Sequence, residues 1–190
     1  MAEQVLVVKK ALLSSLLEEK GLITGKDESF FEIIMSHHEF MPRFEAEENT
    51  GYKQIIPYVL LLRDDEIFAM RRLSKGGETR LHGLISLGVG GHIDLYEDGD
   101  SDDVLTQGML REIREEVEID GAGGLFPVGV INDDTTAVGS VHLGLVYKMQ
   151  VSDARIRETE KLEGFWLSVL KAKELSAQME SWSAIALEAI

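Results

Sequence analysis

The sequence predicts a mixed α/β domain, an expectation that three patterns carry. Two strand-like runs lie back to back around a short acidic turn. A strongly acidic helix has one apolar face, and the carboxyl end has helical spacing. Along the chain, VLVV from Val5 to Val8 reads as a short strand. ALLSSLLEEKG reads as a helix ending at Gly21, since glycine readily takes the left-handed cap conformation. DESFFEIIMSHHEF reads as a second helix with Asp27 or Ser29 as N-cap and Pro42 beyond its end. The acidic, polar EAEENTG segment then marks a boundary, giving a mainly helical N-terminal extension over 1–50 and a main domain over 51–190.

Beyond the boundary the hydrophobic period changes. YKQIIPYVLLL and EIFAMRRL flank RDDE as a hairpin, the first strand continuous enough in apolar residues to be buried on both faces. GLFPVGVIND and SVHLGLVYKMQV predict two further strands around a turn at Asp133 to Gly139, and KAKELSAQMESWSAIALEAI predicts terminal helix. No internal repeat or low-complexity tract interrupts this order.

Composition narrows the function classes. The 190 residues carry 34 acidic and 19 basic side chains, a formal charge of −15, so the surface repels polyanions and a nucleic-acid polymer is not the expected partner. A small phosphorylated ligand stays compatible where bound metal or clustered arginine reverses the local sign. The chain has no cysteine, which excludes thiolate chemistry and cysteine-ligated zinc and fits a reducing, cytoplasmic compartment. No apolar run has the length of a membrane span, and VLVV runs directly into Lys9 and Lys10 rather than into a signal-peptide pattern.

The chemistry concentrates in LREIREEVEID, where Glu112, Glu115 and Glu116 share one helix face while Leu110, Ile113 and Val117 point elsewhere. Like charges at i,i+4 cost an isolated helix roughly 0.2–0.5 kcal/mol. The same carboxylates become favourable around a hard divalent cation. Upstream, LGVGGHIDLYE supplies Gly90 and Gly91, which permit a tight backbone path and leave a carbonyl able to approach a ligand. An EF-hand reading of DLYEDGDSDD fails, because loop positions three and twelve hold Tyr96 and Leu105.

Gly91, Glu97 and the run Arg111-Glu112-Ile113-x-Glu115-Glu116-x-x-Ile119 resemble the signature box of the Nudix hydrolase superfamily, G-x5-E-x7-R-E-U-x-E-E-x-G-U. The resemblance implies an α/β/α sandwich and a loop–helix–loop holding Mg²⁺ or Mn²⁺ against a diphosphate. It implies Glu112, Glu115 and Glu116 as metal or catalytic residues, the Gly90 carbonyl as a backbone ligand, and Glu112 as either ligand or base. Two departures stand out. Thirteen residues separate Glu97 from Arg111 instead of seven, so either Glu97 or Asp103 fills the box's first acidic position beside Arg111. Glu118 replaces the box glycine.

A further glutamate is expected before a late aromatic strand, with Glu160 in ETEKLEGFWLS favoured over Glu158 and Glu163. RRLSKGGETR forms a local basic patch in which Arg72 or Arg80 suits phosphate oxygens; Arg71 and Arg72 face opposite ways on a strand. Gly91 and His92 are expected to touch substrate. His82, His142, Trp166 and Trp182 read as structural residues, and His37 and His38, adjacent on a helix, point about a hundred degrees apart.

The expected activity is hydrolysis of a diphosphate linkage in a nucleoside diphosphate derivative or related small molecule. The alternative is a catalytically silent ligand-sensing or interaction module on the same scaffold. The related isopentenyl-diphosphate isomerase chemistry requires a cysteine that this chain lacks. The extension is expected either to cover the site or to build a homodimer.

Overall fold

The computed structural model of the chain describes residues 2–17, 19–73, 83–99, 103–157 and 159–190. Its central strand is β4 (Tyr52–Arg63), buried at every position from Lys53 to Leu62. β4 turns through Asp64 and Asp65 into β5 (Glu66–Arg72), as the hairpin pattern predicts. On its other side β4 runs parallel to β10 (His142–Gln150), which pairs antiparallel with β9 (Leu125–Asn132). β12 (Leu162–Ser168) closes one edge against β5. Short strands β6 (Ile85–Ser86) and β7 (Gly88–Val89) pair with β5 and β4. A separate ribbon joins β8 (Val117–Asp120) to β11 (Asp153–Ile156).

Helices cover both faces of the sheet because β4 alternates its side chains. Ile55, Val59 and Leu61 point towards α2 (Asp27–His37) and α5 (Val104–Glu116), packing with Phe30, Ile34, Leu105, Met109 and Ile113. Tyr58, Leu60 and Leu62 point the other way, towards α7 (Val169–Glu174) and α8 (Ser181–Ala186), where Ala172 and Ala186 are buried. Each fully buried aliphatic side chain contributes roughly 1.5–3 kcal/mol relative to exposure. The layering is the expected α/β/α sandwich.

Among the described residues of the first fifty, three strands, of which only the VLVV strand was expected, stand beside three helices. β1 (Gln4–Lys9) pairs with both β3 (Glu39–Pro42) and the start of β4, and β2 (Gly21–Ile23) pairs with β9 at the sheet edge. The predicted helix through ALLSSLLEEKG shortens to α1 (Lys10–Leu13). Gly21 is no C-cap but the first residue of β2, at φ 92°. The physical reason is competition: β9 offers an open edge, and pairing extended chain there satisfies backbone groups that a helix would otherwise satisfy internally. α2 forms as expected, although its N-cap is Lys26, with no side-chain capping bond. α3 (Arg43–Ala46) follows β3 directly, with Pro42 at its N-cap.

One buried cation ties the sheet to the turn after β9, which carries the short helix α6 (Ala137–Ser140). Lys53 has no exposed side-chain surface, and its Nζ donates to Asp134 and to the carbonyls of Gly139 (3.0 Å) and His142 (3.1 Å). Lys53→Met removes the buried donor, leaving Lys10 as the remaining cation on Asp134, and is expected to cost about 2–3 kcal/mol of stability in urea unfolding. An unchanged midpoint would show that the tie contributes nothing.

Candidate active site

The loop 90–94 follows β7 and is held from two sides. Leu6 of β1 donates its backbone N–H to Ile93 O at 3.0 Å, and Val5 forms a bridge to Asp94. From the other side comes α5, whose Arg111 Nη2 donates to the His92 carbonyl at 2.7 Å. The glycines are required by contact. A Cβ on Gly90 would lie 1.8 Å from the Pro57 carbonyl oxygen, and one on Gly91 would meet the Glu112 carboxylate at 2.5 Å. The Glu112 carboxylate therefore packs onto the bare backbone of the loop.

Arg111 organises the acids around it. Its Nε and Nη2 donate to the Asp98 carboxylate at 3.0–3.3 Å, Nη1 donates to Glu112 at 2.8 Å, and a longer contact of 3.3 Å reaches Glu115. Asp98 is 3% exposed and also accepts the Asp94 backbone N–H at 3.0 Å. Of the two acids expected beside Arg111, Glu97 pairs with it, at 3.2 Å from an exposed position. Asp103 instead caps α5, accepting from Thr106 N at 3.1 Å. The buried partner is Asp98, on the short helix α4 (Leu95–Asp98). Spacing from the box pointed to its neighbour, because the fold of the insertion, not the residue count, decides which acid turns inward.

Three adjoining clefts of about 550, 350 and 140 Å³ meet at Gly90. Glu112 and Glu116 line the largest, together with Gly91, His92 and Arg111. Burial raises the Glu112 carboxyl pKa, and the adjacent Arg111 charge opposes that rise. Glu115 and Glu116 occupy the last turn of α5, where the helix dipole disfavours negative charge. Glu115 is over half exposed and is not among the residues lining the three clefts.

The chemistry of the donors suits a hard cation. Two carboxylates and a glycine-rich backbone turn face one cleft, in a place where burial and helix polarity both oppose uncompensated negative charge. Among the described residues, no three His, Asp or Glu side chains already converge as a ligand set. Part of the carboxylate charge is balanced by Arg111 instead.

The remaining expected residues are distributed unevenly. His92 is half-buried, its Nε2 lies 2.8 Å from Gln54 Oε1, and burial followed by the Arg43 and His142 charges pushes its pKa down to about 3. Its imidazole is neutral at pH 7. Arg72 lines the smallest cleft with Glu116, and its Nε donates to Glu180 at 2.8 Å. Arg71 turns away to Glu163. Glu160 is exposed on the turn before β12 and lines none of these clefts. Arg80, His82 and Glu158 lie outside the described residues.

Several cleft residues were not singled out from sequence as site residues. Arg43 and Glu3 line the largest cleft from the N-terminal segment. Glu180, Asp133 and His142 line the middle one with Trp182, whose ring meets Tyr58 edge-on at 5.8 Å. Nothing in the spacing of Arg43 marks it, because β3 and α3 carry it to the loop from over forty residues away. Asp98→Asn is expected to cost about 3 kcal/mol in chemical denaturation, since it leaves a largely buried guanidinium without its main partner. Asp103→Ala should cost about 1 kcal/mol, the usual loss for a helix cap. Equal effects of the two would remove Asp98 from its assigned place.

No family model matches the chain. It is 37% identical over 163 residues to protein YmaB of Bacillus subtilis (strain 168), covering 82% of this chain and 79% of that relative. Among solved structures, Tm1382, described as a putative Nudix hydrolase, superposes with a TM-score of 0.86 at 30% identity, covering 98% of this chain and 97% of its own. The Nudix domain of Shewanella oneidensis NrtR, solved with ADP ribose, shares the fold at 14% identity and a TM-score of 0.55, over 72% of this chain and 85% of its own. With sequence identity sustained over nearly the whole of both chains, and with the glycine loop facing the acidic helix, this protein belongs to the Nudix hydrolase superfamily.

Proposed function

We propose that this protein is a metal-dependent pyrophosphohydrolase cleaving the diphosphate linkage of a nucleoside diphosphate derivative or related small molecule. The observation carrying the proposal is that Glu112 and Glu116 line one cleft with Gly90 and Gly91, the Glu112 carboxylate packed on the loop backbone. Superfamily membership supports hydrolysis as the reaction class. The NrtR domain, solved with ADP ribose, supports a small phosphorylated ligand as the substrate class.

Glu112, Glu116 and the Gly90 carbonyl are the groups that would hold Mg²⁺ or Mn²⁺, with Glu115 contributing from the exposed side of the same helix turn. Bound there, the ion supplies charge neutralisation at phosphate oxygens and an activated water. Arg111 fixes the rotamer of Glu112 through the 2.8 Å contact and shares its charge with Glu115. His92, neutral and tied to Gln54, presents a ring to the substrate without adding a second cation. Arg72 faces the cleft on the Glu116 side, where its guanidinium can meet phosphate oxygens beyond its pairing with Glu180. Glu160 would join the site only if the turn before β12 moved inwards, so Glu112 is the candidate base in the arrangement where Glu116 and the Gly90 carbonyl hold the ion without it.

The test is a panel of nucleoside triphosphates, dinucleotides, ADP-ribose, nucleotide sugars and non-nucleotide diphosphates, with Mg²⁺ and Mn²⁺, read by product mass. Turnover that is lost on chelation is expected. Tight binding of a panel member without turnover would favour the silent sensing module instead. Glu116→Gln should lower kcat on the order of 100-fold or more with the melting temperature preserved. Glu115→Gln should lower it about tenfold, as expected for an exposed carboxylate outside the cleft lining. Near-normal activity of the Glu116 variant would refute the assignment.

A further inference from the structure

The N-terminal segment brings one arginine to the largest cleft, and its present partner is informative. Arg43, first residue of α3, lines both that cleft and the adjoining one, beside Gly90, Gly91 and His92. Its charge is felt at both His92 and His142. Nε donates to Glu47 at 2.9 Å, and Nη1 sits 3.2 Å from each carboxylate oxygen of Glu3. Among the described residues Nη2 makes no hydrogen bond. Glu3 lines the same cleft and is itself 43% exposed.

We infer that Arg43 is a substrate-binding residue for a phosphate oxygen of the diphosphate, and that Glu3 holds its place as a displaceable internal anion. This rests on the pyrophosphohydrolase reading for the identity of the ligand. Three observations carry it. In a chain of net charge −15, Arg43 is a cation set at the cleft where Glu112 and Glu116 stand, so an anionic ligand there gains from it both charge balance and orientation. Its guanidinium is anchored on one side by Glu47, which leaves the Nη edge preorganised for a planar, two-oxygen acceptor. One nitrogen of that edge, Nη1, already holds both oxygens of an anion, the Glu3 carboxylate, on a side chain that is exposed and held in a weak surface pair. A phosphate displaces Glu3 without desolvating a buried ion.

The idea makes opposite predictions for the two members of one ion pair. Removing the cation weakens ligand binding, whereas removing the competing anion strengthens it. A pair serving only to pin the N-terminal segment would shift both variants in the same direction. The measurements are kcat and KM on the panel's best substrate, and calorimetric titration of inorganic pyrophosphate with Mg²⁺, which needs no turnover. Arg43→Ala is expected to raise KM and weaken pyrophosphate binding roughly tenfold with kcat little changed, and Arg43→Lys to recover part of the loss. Glu3→Gln is expected to lower KM and tighten pyrophosphate binding about two- to threefold. Unaltered melting temperatures in both variants exclude a folding effect. Equal pyrophosphate affinity of wild type and Arg43→Ala, weakening in Glu3→Gln, or no pyrophosphate binding by the wild type overturns the inference. Absence of turnover in a wild type that still binds pyrophosphate through Arg43 would overturn the hydrolase reading and leave this one standing.

Discussion

Arg111 lies between Asp98, Glu97, Glu112 and Glu115, and it also donates to the carbonyl of His92, so that the loop before α4, the inserted segment and the acidic face of α5 all meet on one guanidinium. Only a planar cation with five donors can satisfy so many acceptors at once; a lysine would reach one or two of them. Without it, the buried Asp98 and the half-buried Glu112 would face each other across the loop as unpaired anions, a cost of several kcal/mol. The rest of the site is downstream of this contact. Gly90 and Gly91 can approach the helix because Arg111 pulls the loop backbone inwards, and Glu112 meets Gly91 because its other side is held.

The arrangement also explains why negative charge collects at the wrong end of a helix. Glu115 and Glu116 stand at the C-terminus of α5, where carboxylates reduce stability, and Val117 leaves at once into β8. Arg111 compensates Glu112 and part of Glu115, while Glu116 faces the cleft. Stability is given up locally in a structure where α2 and α5 on one face of β4, and α7 and α8 on the other, pack extensive apolar clusters. Such a trade is common where residues are selected for a ligand rather than for the fold.

Much of this was legible in the sequence, and the exceptions have physical causes. β4, β5, β9 and β10 were readable because their apolar residues follow strand patterns that only a sheet buries, and α5 was readable because Leu110 and Ile113 recur with helical spacing opposite the glutamates. The helix carboxylates and the glycine pair stood out because they lie close together in sequence. Asp98 did not, since its inward turn is set by the short helix α4 inside an insertion of unfamiliar length. β2 was hidden because its partner is the distant edge of β9, and ALLSSLLEEKG carries strong helical propensity that tertiary pairing overrides beyond Leu13. Arg43 and Glu3 were hidden for the same reason: the approach of β1 and β3 to the loop 90–94 is a long-range fact that no local pattern encodes.

The account stands on the acidic face of α5 existing to hold a divalent cation against the glycine turn. Diffraction from crystals soaked in Mn²⁺, with data collected at the manganese absorption edge, addresses that directly. An anomalous peak bounded by Glu112, Glu116 and the Gly90 carbonyl is the predicted result. A featureless cleft at saturating Mn²⁺, or a peak confined to the acidic insertion around Glu97, would contradict it.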